Sequence, residues 1–147
     1  MMPNKVRKNG KKVLFEDELR RKKSNEDEIM DDDEMVREMV RKILSHLGYH
    51  VTVTADGQNA VKIYKSARSQ KIPFDLVIMD LTIPGGMGGS ETMKRLQEID
   101  PNVKGIVSSG YSNDPIMANY RKYGFVGRLS KPYQIELLSS TIANILD

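Results

Sequence analysis

The stretch FDLVIMD, residues 74–80, decides the fold. Phe74 to Met79 form a nearly continuous apolar run, which is typical of a central strand buried on both faces of a parallel sheet. Asp80 follows this run directly. Outward from it in both directions, short strand-like segments alternate with amphipathic helical segments. This alternation predicts an α/β domain with a parallel sheet.

Five strands and five helices are predicted in strict alternation. The predicted strands are residues 29–30, 50–54, 74–79, 103–108 and 125–129. Apolar residues at helical spacing predict the helices between and after them, at residues 35–47, 60–67, 90–99, 114–123 and 135–145. Gly48 is expected to end the first helix, and Asp114 followed by Pro115 is a typical start for the fourth.

The first strand is the one element for which two interpretations remain. Ile29-Met30 is interpreted as its end, but four acidic or polar residues precede this pair. Further upstream, Val13 to Phe15 look more like a strand, and they too are followed by acidic residues. Either the first strand is short and irregular, or Val13 to Phe15 supply some of its pairing. The expected organisation is a basic tail or linker over residues 1–25 and one domain over residues 26–147.

Composition and charge limit the class of protein. The 147 residues suit one domain with a tail. Residues 1–25 hold nine Lys and Arg against three acids, a balance of +6, whereas residues 26–147 hold fourteen against seventeen, a balance of −3. No aromatic residues alternate with the basic ones in the tail, so nucleic-acid binding is not expected. No apolar run approaches the ~20 residues of a membrane span, and the absence of cysteine is compatible with the expected cytoplasmic location.

Polar residues follow the predicted strands where the chain leaves the sheet. These segments are Asp31-Asp32-Asp33, Asp80, Ser108-Ser109-Gly110 and Ser130-Lys131-Pro132. Ligands of open parallel sheets bind at the carboxyl ends of the strands, so one crevice is expected to collect these side chains. Clustered carboxylates repel one another, and a hard cation such as Mg2+ relieves that repulsion.

These segments together resemble the response-regulator receiver domains of two-component signalling, especially those attached to hybrid sensor histidine kinases. The matching segments are residues 29–32, 75–84, 108–111 and 131–133, within a similarity that covers about residues 28–146. The resemblance implies a flavodoxin-like (βα)5 doubly wound parallel sheet with strand order 2-1-3-4-5. It also implies a phosphorylation-regulated signalling domain rather than an enzyme.

The resemblance also implies roles for particular residues. Asp80 matches the phosphoacceptor, Ser109 the hydroxyl residue that meets the phosphoryl group, and Lys131 the lysine that pairs with it. Asp31 and Asp32 match the acidic pair that holds Mg2+, with Asp80 as a further ligand. Thr82 stands where the family uses a main-chain carbonyl as a metal ligand.

The implied partners are a histidine kinase or phosphotransfer protein as phosphoryl donor, and an output partner whose identity stays open. The Lys131–Pro132 peptide is expected to be cis. The chain departs from the pattern in its short first strand, in its long Gly-rich loop after Asp80, and at Arg128, which stands where the family often has an aromatic switch residue. We therefore expect signalling that does not depend on an aromatic rotamer there.

Two other classes of protein are alternatives to a phosphorylated receiver domain. A receiver-like interaction module without phosphorylation would not need Asp80, Ser109 and Lys131 together. A magnesium-dependent phosphatase of the haloacid-dehalogenase type also uses an aspartate at a strand end. That class requires a second aspartate two residues later, where this chain has Thr82.

Overall fold

The structure is a computed structural model that describes residues 10–16, 32–54, 56–81, 88–110 and 113–146, with the backbone alone for residues 32–37. The strands in the described residues are β1 Lys12–Glu16, β2 His50–Thr54, β3 Leu76–Asp80, β4 Gly105–Ser109 and β5 Gly127–Ser130. The helices are α1 Asp32–His46, α2 Gly57–Ser69, α3 Gly89–Ile99, α4 Pro115–Ala118 and α5 Ile135–Leu146, with a 3-10 turn at Tyr120–Tyr123.

The strands form one parallel sheet in the order β2-β1-β3-β4-β5. This order confirms the predicted fold. β3 lies at the centre of the sheet, and all five of its residues are buried. Because parallel strands share a direction, the chain leaves β1, β3, β4 and β5 at the same edge of the sheet.

The placement of the first strand at Ile29-Met30 is wrong, and so is the exclusion of Lys12–Glu16 from the domain. The place between β2 and β3 is filled by Lys12–Glu16, which pairs with His50–Thr54 on one side, while Val13 to Phe15 pair with β3 on the other. A central strand needs consecutive apolar residues because both of its faces are covered. The run from Val13 to Phe15 meets this requirement; Ile29 and Met30 lie outside the described residues.

Two apolar layers cover the two faces of the sheet. Leu14 packs in one layer with residues of α2, α3 and α4, whereas Val13 and Phe15 pack in the other with residues of α1 and α5. Successive side chains of a strand point to opposite faces, so the three buried residues of β1 serve both layers. The upstream segment is therefore an integral part of the core.

The fourth helix is shorter than predicted. Asp114 caps it as expected, since its carboxylate accepts the main-chain N–H of Ile116 at 2.9 Å. The α-helical part ends at Ala118, and the chain continues as the 3-10 turn up to Gly124. Gly124 has a φ angle of +93°, a conformation that favours glycine and ends the turn before β5.

Candidate functional site

Asp80 and Lys131 meet at the carboxyl edge of the sheet. Asp80 is the last residue of β3 and is only 8% exposed. Lys131 comes directly after β5, and its Nζ atom lies 2.6 Å from Oδ2 of Asp80. The main-chain N–H of Lys131 donates to the carbonyl oxygen of Ser109 at 2.9 Å, which fixes where the lysine leaves the sheet. An anionic carboxylate thus stands next to an ammonium group at the place where the sequence predicts the chemistry.

The main chain around Asp80 is held from both neighbouring strands. On the β4 side, Asp80 pairs with Ser108, and Leu81 donates its N–H to the carbonyl oxygen of Ser108 at 2.8 Å. On the β1 side, the carboxylate of Glu16 accepts the N–H of Asp80 at 3.0 Å through Oε1. Glu16 is a residue of this site that the sequence pattern did not predict. The acidic residues that follow the run from Val13 to Phe15 are the signal that could have identified it.

The start of α3 fits closely against the same main chain. A Cβ atom at Gly89 would lie 2.8 Å from the carbonyl oxygen of Asp80, closer than real Cβ contacts allow. The N–H of Gly89 also donates to the carbonyl oxygen of Leu81 at 3.0 Å. Glycine at this position therefore lets the helix approach the end of β3, and that approach helps to define the position of Asp80.

Two serines end β4 beside Asp80. Ser109 is buried at the end of the strand, one residue beyond the partner of Asp80, so it lies at the same edge of the sheet. The hydroxyl of Ser108 forms a hydrogen bond of 2.6 Å with the hydroxyl of Tyr133. Tyr133 follows the Lys131–Pro132 peptide, which is cis as the resemblance implies. The Ser108–Tyr133 bond, absent from the sequence predictions, joins β4 to the segment that carries Lys131.

Arg128 on β5 makes polar contacts instead of the packing contacts of an aromatic residue. Its Nη1 atom donates to the carbonyl oxygen of Met117 at 2.9 Å, and its guanidinium group lies 5.6 Å from the centre of the Tyr120 ring. Arg128 is exposed. It therefore links β5 to α4 and the 3-10 turn from the surface of the domain.

For three residues predicted for the metal site, the structure describes no side chain. Asp31 and Thr82 are outside the described residues, and Asp32 is known only as the first residue of α1. Among the residues that are described, no three His, Cys, Asp or Glu side chains come together as metal ligands would. The carboxylate of Glu16 lies close to the main chain of Asp80, whose N–H it accepts at 3.0 Å.

The sheet order and the Asp80–Lys131 pair define a class: a doubly wound domain with a buried aspartate paired to a lysine at the end of its central strand. A family model described as the response regulator receiver domain matches residues 28–143, well over half of the chain. The chain therefore belongs to the response regulator receiver domain family. Domains of this family are phosphoacceptor domains of two-component systems. The match begins at residue 28 and so does not include β1.

Relatives of known identity agree with this assignment. The chain is 35% identical over 107 residues to the chemotaxis protein CheY of Thermotoga maritima, covering 72% of this chain and 84% of the relative. It is 28% identical over 118 residues to the sporulation initiation phosphotransferase F of Bacillus subtilis, covering 80% and 90% of the two chains. Neither the phosphatase nor the non-phosphorylated module is favoured by these similarities.

A similar solved structure is the complex of CheX and CheY with beryllium fluoride and magnesium from Borrelia burgdorferi. It has a TM-score of 0.73 and 21% sequence identity, and covers 93% of this chain and 90% of that one. At this level of identity the likeness supports the fold. Within the described parts of the chain, no helix is long and apolar enough to cross a membrane.

Proposed function

We propose that Asp80 accepts a phosphoryl group from a phosphohistidine of a histidine kinase or phosphotransfer protein, and that the resulting acyl phosphate switches partner binding. The observation that carries this proposal is the contact of 2.6 Å between Lys131 and the buried Asp80 at the end of β3. A buried carboxylate at the open end of a rigid strand is a fixed nucleophile. An ammonium group beside it can neutralise charge on a transferring phosphoryl group.

In the proposed step, the phosphoryl group passes from a histidine nitrogen of the donor to the Asp80 carboxylate. A carboxylate oxygen of Asp80 attacks phosphorus, and a P–O bond forms while the P–N bond to the donor histidine breaks. The imidazole nitrogen keeps the electron pair of that bond and leaves. Lys131 compensates the negative charge on the phosphoryl oxygens during the step, because its Nζ atom already lies at the Asp80 carboxylate.

Mg2+ is part of the proposal because the donor atoms suit it. The carboxylate of Asp80 lies at the carboxyl edge of the sheet, and Mg2+ prefers oxygen ligands, often one or two carboxylates with water and phosphate. We assign Asp80, Asp31 and Asp32 as its carboxylate ligands and the carbonyl of Thr82 as a main-chain ligand. When bound, the ion offsets the charge that builds up on the phosphoryl oxygens.

Ser109 is proposed as the residue through which the switch operates. Its position at the end of β4 places a hydroxyl beside the phosphoacceptor strand, where it can meet a phosphoryl oxygen. Formation of that contact would bias a pre-existing equilibrium in β4 and the elements after it. The proposal includes an output partner that binds one of the two states. It also includes a cytoplasmic location, with which the absence of cysteine is compatible.

The test is incubation of the full chain with acetyl phosphate and Mg2+, followed by intact mass measurement. We expect the addition of one phosphoryl group, its loss when EDTA is present, and its removal by hydroxylamine, which cleaves acyl phosphates. Fragmentation of the labelled protein should place the group on Asp80. A chain that gains no mass with Mg2+ would contradict the proposal, and so would a label on another residue.

A further inference from the structure

Glu16 is a carboxylate buried where the fold alone would be served by an apolar residue. It is the last residue of β1 and is 4% exposed. Removing a carboxylate from water is costly unless hydrogen bonds compensate. One of its hydrogen bonds goes to the main-chain N–H of Asp80, 64 positions away. The acid is thus placed against the main chain of the proposed phosphoacceptor.

This hydrogen bond continues the link between β1 and β3 beyond their main-chain pairing. The paired residues of the two strands end with Phe15 and Ile78. Asp80 lies two residues further along β3, so on this flank its main chain is held by the Glu16 side chain. On the other flank it is held by main-chain pairing with Ser108 of β4. A change of the Glu16 side chain therefore acts on one support of Asp80 and leaves the other intact.

We propose that Glu16 is a positioning residue, whose carboxylate sets the main-chain position of Asp80 and through it the direction of the nucleophile. This inference rests on the proposed phosphoryl transfer to Asp80. Small displacements matter for such a step, since a shift of about 1 Å between reacting groups can cost about 100-fold in rate. Glu16 acts through the Asp80 amide and is not itself required to touch the phosphoryl group.

The test compares Glu16→Met with Glu16→Gln. Methionine has a similar length and no oxygen acceptor, whereas the amide oxygen of glutamine can accept the same N–H. The initial rate of labelling by acetyl phosphate is measured in the full chain over a range of Mg2+ concentrations. We expect Glu16→Met to lower the maximal rate by about 10-fold or more, with little change in the Mg2+ concentration for half-maximal rate. Glu16→Gln should restore most of that rate.

A matched control exists at the opposite edge of the same strand pair. The carboxylate of Asp75 accepts the main-chain N–H of Lys12 at 2.8 Å, which is the same kind of bond between the same two segments of chain. Asp75→Leu should lower stability while leaving the labelling rate near that of the wild type. Amide exchange followed by NMR should show faster exchange at Asp80 in Glu16→Met than in the wild type or in Glu16→Gln.

Each result decides the inference. A normal maximal rate in Glu16→Met, or an unchanged Asp80 amide, would overturn it. A higher Mg2+ requirement shared by Glu16→Met and Glu16→Gln would also overturn it, because Glu16 would then act as a metal ligand. If Glu16→Met does not fold, Glu16→Gln alone tests the inference. A maximal rate of Glu16→Gln far below that of the wild type would then contradict it, because the amide oxygen of glutamine can still accept the Asp80 N–H. A wild-type chain that takes no label refutes the proposed function itself, and the amide exchange still tests the contact.

Discussion

Asp80 and Asp100 are two aspartates that each meet a basic side chain, yet their surroundings differ. Asp100 ends α3. Its Oδ1 accepts the N–H of Asn102 at 3.0 Å, its Oδ2 accepts the hydroxyl of Tyr64 at 2.8 Å, and Arg68 approaches the same oxygen at 3.7 Å. Both carboxylate oxygens of Asp100 thus serve to join α2 to the turn after α3.

The main-chain N–H of Asp80 instead donates to the carboxylate of Glu16 on β1, and the basic partner of the Asp80 carboxylate, Lys131, comes from beyond β5. Three separate strands therefore contribute to its surroundings, at the edge of the sheet where parallel folds bind ligands. The comparison teaches that an ion pair alone does not mark a functional aspartate. Position at the carboxyl edge of the sheet, and a basic partner that comes from beyond another strand, distinguish Asp80 from the structural Asp100.

The largest expected difference is between Asp80→Asn and Asp100→Asn. Asparagine keeps the shape of the side chain but lacks the anionic nucleophile, so Asp80→Asn should fold and gain no phosphoryl mass. Asp100→Asn should be labelled at the wild-type rate and lose about 1–2 kcal/mol of stability, since its charge-assisted hydrogen bonds become neutral ones. Intact mass measurement and urea unfolding of both variants check this. Normal labelling of Asp80→Asn would remove the distinction between the two aspartates.

The two basic partners should also differ. Lys131→Met removes the charge next to the nucleophile, and we expect labelling about 100- to 1000-fold slower, the scale seen when one charge-stabilising group is lost. Arg68 is 44% exposed and its contact with Asp100 is long, so Arg68→Met should cost about 1 kcal/mol or less and leave labelling unchanged. Time courses with acetyl phosphate measure both rates. Equal slowing in the two variants would show that overall charge, rather than position, controls the reaction.

Most of the fold was predictable because each element has a local pattern. β2 was predicted at its observed bounds, and β3 was predicted from its apolar run. The position of β1 could not be predicted from the sequence, because two segments were candidates. Both Val13 to Phe15 and Ile29-Met30 are apolar and adjoin acidic residues. The choice depends on pairing with β2 and β3, which no local pattern contains.

The site shows the same limit. Asp80 and Lys131 were predicted because each lies in the polar segment that follows a predicted strand, and the sheet order brings the two together. The hydrogen bond from Asp80 to Glu16 joins residues 64 positions apart and depends on how far β1 extends along β3. The bond between Ser108 and Tyr133 depends on side-chain directions as well as on the backbone. Contacts of this kind follow from three-dimensional pairing and have no signature in the spacing of residues.

A smaller effect is expected for the hydroxyl pair that joins β4 to the segment after β5. Tyr133→Phe leaves the buried hydroxyl of Ser108 without this partner, so we expect a loss of about 1–2 kcal/mol in the free energy of unfolding. The control is Tyr123→Phe at an exposed tyrosine, which should change stability little. Urea unfolding of Tyr133→Phe, Ser108→Ala and the double variant should give a favourable coupling energy. Additive losses would show that the bond between the two hydroxyls contributes nothing to stability.

The smallest effect concerns Tyr64, the hydroxyl partner of Asp100. Burial, together with the hydrogen bond to Asp100, raises the pKa of Tyr64 above its ordinary value. The unfolded chain therefore ionises first, near its ordinary pKa of about 10. The stability that the neutral phenol contributes is fully present below that pH and is lost as the pH rises through the higher folded pKa.

Tyr64→Phe should accordingly cost about 1 kcal/mol at neutral pH, and the stability difference from the wild type should shrink as the pH rises above about 10. The other tyrosines and the lysines ionise in both proteins, so the difference between the two unfolding curves isolates Tyr64. Labelling of Asp80 at neutral pH should be the same in both proteins. The Asp100 cluster, which consists of Asp100, Tyr64 and Arg68, lies away from the carboxyl edge of the sheet. A stability difference that stays constant from neutral to alkaline pH would show that the phenol of Tyr64 ionises equally easily in the folded and unfolded chain. Slower labelling of Tyr64→Phe would instead show that the Asp100 cluster and the Asp80 site are coupled.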